Sequence, residues 1–117
     1  MEVTITDVEY FLSEFKFKLG FWGLIYRSDR DKNKKTLLEL DFDVSKLRKT
    51  LENLEIEDYV EGPVSDTLYR ISPMWIFGKE IKGQEIYIKI SMGNENDKVL
   101  CISFHFAEFT LIYPLKQ

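Results

Sequence analysis

The sequence has little of what most directly marks chemistry. In 117 residues there is one cysteine, Cys101, and one histidine, His105. A lone cysteine excludes an internal disulfide and fits a reducing compartment. One cysteine and one histidine do not make a nitrogen–sulfur zinc set within the chain. The carboxylates show no calcium-loop spacing, and neither G-x-G-x-x-G nor G-x-x-x-x-G-K occurs. No apolar run is long enough to cross a bilayer. The opening stretch, "MEVTITDVEY", lacks the basic flank and apolar run of a secretory signal. These absences set the expectation of a soluble, cytoplasmic protein with no membrane contact, no metal and no cofactor. The formal net charge of -4 argues against broad, non-specific duplex binding.

What is present suffices for a packed interior. Apolar residues make up 44% and aromatics 15%, which predicts one domain over residues 1–117 with a single core. "TDVE" reads as a capping box, with Thr6 as N-cap and Glu9 reaching back. Val8, Phe11, Leu12, Phe15 and Leu19 follow at helical spacing, with Gly20 as the stop. "FWGLIYR" is a strand or a packed connection. "RSDRDKNKK", Arg27 to Lys35, reads as a polar loop. A second helical zone covers Thr36 to Leu54, broken near "LDFD", with Asp43 or Ser45 capping its second half. Val44, Leu47, Leu51 and Leu54 mark the buried stripe of that half. The acidic run Glu52 to Pro63 ends in a Gly-Pro breaker.

The second half changes period. "SPMWIFGKE", "QEIYIKISM" and "KVLCISFHF" predict three successive strands, joined by turns at Ile81–Gly83 and Gly93–Asp97. The fold class is therefore α+β: N-terminal helices packed on a C-terminal antiparallel β-sheet of three or more strands. Alternation places Ile86, Ile88 and Ile90 on the buried face, with Leu100, Ile102, Phe104 and Phe106. Tyr87, Lys89, Ser103 and His105 then share the opposite face, with Cys101 as a small apolar filler.

Such residues are ordinary on a solvated sheet face. They are also a phenol, a fixed cation and a group that titrates near neutrality. Cleavage of RNA through its own 2′-hydroxyl needs that set. Both readings stand at this point. If RNA is bound, Arg27, Arg30, Arg70 or Lys79 should lie near the Tyr87 face to hold phosphates.

"KGQEIYIKI" and "VLCISFH" resemble the final two strands of the MqsR-type (motility quorum-sensing regulator) toxins, among the RelE-like messenger-RNA interferases. "LDFD", then a helix, then "EDYVEG", resembles that family's middle region, so the likeness runs from about Leu37 onward. "SFHFAEFTLIYPLK" looks like a branch with a C-terminal extension. The resemblance implies a RelE-like fold and a toxin of a type II toxin–antitoxin system, acting as a metal-independent endoribonuclease on mRNA, free or on the ribosome. It implies a helix-turn-helix antitoxin as partner. Tyr87 falls on the family's active-site tyrosine, and Lys89 follows in the same Y-x-K pattern. His105 stands where the family has a lysine after its Ser-Phe pair, and Glu61 where it has another lysine. The catalytic set implied is Tyr87, Lys89 and His105. The alternative is a catalytically degenerate module of the same fold that engages an antitoxin or other protein.

Overall fold

A computed structural model describes residues 2–65 and 72–117. Helix α1 (Ile5–Trp22) leads into a short strand β1 (Leu24–Tyr26), then helices α2 (Asp31–Leu40) and α3 (Val44–Glu52). A 3-10 turn (Ile56–Asp58) precedes strands β2 (Tyr59–Val64), β3 (Met74–Ile81), β4 (Gln84–Ser91) and β5 (Val99–Phe106). The class is α+β, as the sequence predicts. The five strands form one sheet in the order β1-β5-β4-β3-β2. β2 to β5 are antiparallel, whereas β1 joins β5 in parallel, so the sheet is mixed.

Helix α1 begins two residues earlier than the sequence signal suggests. Thr4, not Thr6, is the N-cap: its hydroxyl accepts from the Asp7 N–H, and the Asp7 carboxylate accepts from the Thr4 N–H. The same polar spacing occurs twice in "TITDVE", and the earlier box wins because it adds helical hydrogen bonds once the nucleus exists. The helix also passes Gly20 and stops at Gly23, whose φ of 98° suits glycine. Its buried face is Val8, Phe11, Leu12, Phe15 and Leu19, the stripe read from the sequence.

In α3 Asp43 is the cap, accepting from the Lys46 N–H at 2.8 Å. Leu47, Leu51 and Leu54 are fully buried, but Val44 is exposed because it opens the helix on the solvent side.

The largest local difference is α2. The expected loop from Arg27 to Lys35 is cut short at Arg30, and helix takes over from Asp31. The part of α2 that lies along β5 buries Asn33 and Thr36, with apolar burial only toward its end at Leu37 and Leu40, which conceals the helix from a hydrophobic period. β1 covers only the first half of β5, and α2 lies along the rest. Asn33 donates to the Ile102 carbonyl and accepts from the Phe104 N–H, both at 3.0 Å. Thr36 Oγ1 accepts from the Phe106 N–H at 3.2 Å. Two side chains thus replace the missing strand and satisfy backbone groups that an open edge would leave unpaired.

The core lies between α1, α3 and one sheet face, with Phe77, Ile86, Ile88, Ile90 and Phe104 fully buried. Phe11 stacks on Trp75 at 4.4 Å between ring centroids. A register shift in the β4–β5 ladder corrects the face assignment of β5. Lys89 pairs with Ser103 but Ile90 pairs with Cys101, leaving Ile102 as the extra residue of a bulge. Val99 and Cys101 therefore join the core, whereas Leu100 and Ile102 do not. Ile102 is buried, yet outside the cluster beneath α1.

Residues 107–117 return across the other sheet face. Glu85 anchors them: its carboxylate accepts from the Leu111 N–H at 3.0 Å and the Tyr113 hydroxyl at 2.9 Å. Leu111 and Tyr113 press onto Gly78, where any Cβ would collide with both side chains.

Candidate functional site

The strand register builds the site on the sheet face away from α1. One cross-strand row is Gly78, Tyr87 and His105, and the next is Ile76, Lys89 and Ser103. Glu61 of β2 stands beyond Ile76. Residues two apart on a strand are about 7 Å apart, so Tyr87 and Lys89 are neighbours on this face.

The structure brings Tyr87 and His105 into a stack, with ring centroids 5.1 Å apart and planes 15° from parallel. His105 lies on the face that alternation assigns to it, but it is not solvated: 8% of it is exposed. Its Nδ1 lies 3.0 Å from the Phe106 carbonyl oxygen. A carbonyl only accepts, so Nδ1 carries a proton, and in the neutral form of the ring the lone pair lies on Nε2. Nε2 has no hydrogen-bond partner among the described residues.

Arg30 reaches this face from the cap position of α2. Its Nη1 donates to the Ile102 carbonyl at 3.2 Å and to Ser103 Oγ at 3.3 Å, which holds the guanidinium beside the second row. Burial pushes the Tyr87 phenol above its ordinary range, the Glu61 carboxylate adds to that, and Arg30 opposes it. Lys89 is half-buried opposite Ser103. At the rim Lys32 pairs with Glu108 at 2.9 Å. The hydrogen bond and field of Lys32 hold the Glu108 carboxyl below its usual value.

The expected phosphate contacts divide. Arg30 faces the site. Arg27 grips Asp29 through two 3.0 Å bonds at the end of β1. Lys79 does not reach the Tyr87 face: it alternates with Gly78, pairs with Ile86 and donates to Asp58 at 2.8 Å. Arg70 lies outside the described residues. Lys32 and Glu108 are not among the residues that the sequence singles out. Their signal is hidden because α2 starts inside a stretch whose composition reads as a loop.

Cys101 is fully buried, and burial raises its thiol pKa, so it packs as an apolar filler. Among the described residues no three His, Cys, Asp or Glu side chains converge on a point that could hold a metal ion. No helix among them is long and apolar enough to cross a membrane.

The chain matches no protein-family model, no curated protein and no solved structure.

Proposed function

We propose that the chain is a cytoplasmic type II toxin, an endoribonuclease that cleaves messenger RNA through the RNA's own 2′-hydroxyl. The observation that carries this reading is the Tyr87–His105 stack, in which Nε2 keeps its lone pair. His105 Nε2 takes the 2′-hydroxyl proton, and the 2′-oxygen attacks the adjacent phosphorus. Lys89 and Arg30 offset charge on the phosphorane-like transition state. The bond from phosphorus to the 5′-oxygen breaks, and that oxygen takes a proton from the Tyr87 hydroxyl. The products are a 2′,3′-cyclic phosphate and a 5′-hydroxyl. Proton return from His105 to Tyr87 through water restores both groups. The resemblance of the last strands to the MqsR-type toxins supports the same reading and implies a helix-turn-helix antitoxin as its partner.

A second reading has its own observation. On α1 Phe17 and Phe21 are each about 70% exposed and stack at 6.4 Å between centroids, a surface suited to protein contact. It favours a module of the same fold that binds a partner without cleaving.

The experiment is an RNA cleavage assay with the end groups identified. Cyclic phosphate from wild type, and none from RNA lacking the 2′-hydroxyl at the cut, supports the nuclease. Wild-type protein that binds RNA or an antitoxin without cutting supports the module.

A further inference from the structure

A groove of about 820 Å³ lies between the first half of α1 and strands β2 and β3. Its floor is apolar: Val3, Phe11, Trp75 and Met92. Its rim carries Glu2, Asp7 and Glu14, with the Tyr10 ring beside them, mostly exposed. No lysine or arginine lines it among the described residues. Lys18, at the Met92 end, is committed to the carbonyls of Met92 and Asn94. Asp7 remains anionic, because the Thr4 N–H and then the Thr4 hydroxyl hold its carboxyl below the usual range.

An apolar floor beneath three carboxylates and an exposed phenol ring selects a cation on an apolar stem. The shape selects further. The lining follows α1 from Thr6 to Glu14, about 12 Å of helix. That length takes about four residues of extended chain. The opposite wall is β2, the last strand of the sheet.

We propose that this groove binds an extended segment of a partner protein in which lysine or arginine alternates with apolar residues. Alternate side chains of an extended chain face opposite ways, so the apolar set enters the floor while the cations reach the rim. The proposal stands apart from the nuclease reading and does not depend on it.

The test uses the full chain with Trp22→Phe, leaving Trp75 as the one tryptophan emitter. The probes are acetyl-Lys-Val-Lys-Val-Lys-amide, the same peptide with glutamate for lysine, and spermidine. A saturable change in Trp75 emission is expected with the lysine peptide alone. Glu2→Gln with Glu14→Gln should weaken it about tenfold, and added salt should weaken it too. The Trp75 indole NMR signal of the unsubstituted chain reads the same event should Trp22→Phe perturb folding. An equal response to both peptides would overturn the proposal. So would affinity unmoved in the double variant, spermidine binding as tightly as the peptide, or no saturable response.

Discussion

His105 is positioned by its own strand and by the ring across from it. The Phe106 carbonyl orients the imidazole, and Tyr87 stacks on it. His105→Gln should lower RNA cleavage by about 10²–10⁴-fold, the usual contribution of a general base. Because the ring is buried, the same change should also cost about 1 kcal/mol of stability, read from a denaturant midpoint. Tyr87→Phe separates the two effects. It keeps the stacked ring, so the melting curve should hardly move while cleavage falls. An active Tyr87→Phe protein would remove the phenol from the mechanism. The phenols also set an alkaline limit. Tyr26, Tyr59, Tyr87 and Tyr113 all have pKa values raised above the ordinary 10.0, chiefly by burial. For Tyr113 the Glu85 carboxylate adds to the effect of burial. A folded pKa above the unfolded one means stability is fully present below about pH 10 and is lost as pH rises beyond it. Ultraviolet titration beside a pH series of melting curves would check this, and phenols that all ionise together in the ordinary range would contradict it.

At the scale of elements, α2 shows why part of the fold was hidden from the sequence. The strands β3, β4 and β5 were legible because their period of two is plain and their turns carry glycine. The stripe of α1 was legible for the same kind of reason, since its apolar residues recur at helical spacing. Helix α2 buries Asn33 and Thr36 ahead of Leu40. Its inward face recognises the backbone of a strand some seventy residues away, and no local pattern reports that. The bulge at Ile102 was hidden likewise. One extra residue exchanges the faces of Cys101 and Ile102, and strict alternation cannot foresee it. For the site, alternation put Tyr87 and His105 on one face, where the register pairs them, while the partner of Lys79 depended on tertiary placement. Asn33→Ala takes the acceptor from the buried Phe104 N–H, which costs about 1–3 kcal/mol when left unpaired, while the Ile102 carbonyl keeps its bond from Arg30. A fall of about 1–3 kcal/mol in unfolding free energy is expected from denaturant titration. A change below about 0.5 kcal/mol, the range of ordinary surface substitutions, would mean that water replaces Asn33 at no cost.

At the scale of the whole molecule, the returning C-terminal segment ties the second sheet face together. Gly78→Ala places a methyl group where Leu111 and Tyr113 now sit, so the segment must lift. Faster proteolysis of residues 107–117 should follow, with the β3–β4–β5 ladder still protected in hydrogen exchange. Glu85→Gln should act in the same direction more mildly, because an amide oxygen still accepts one of the two bonds that Glu85 now receives. A tail as resistant as wild type in Gly78→Ala would show that the close approach is not what holds it.

The sheet order also imposes a schedule. β5 is the last strand in the chain, yet it sits between β1 and β4. Leu24 pairs with Val99, so β1 waits 99 − 24 = 75 residues for its neighbour. At about 5–20 residues per second, that wait is about 4–15 s of translation. Until then β1 has no ladder partner, Asn33 has no strand to read, and the stack that supplies the proposed base does not exist. A nascent chain therefore carries none of the proposed activity until β5 has been made, because that strand completes the sheet and the site together.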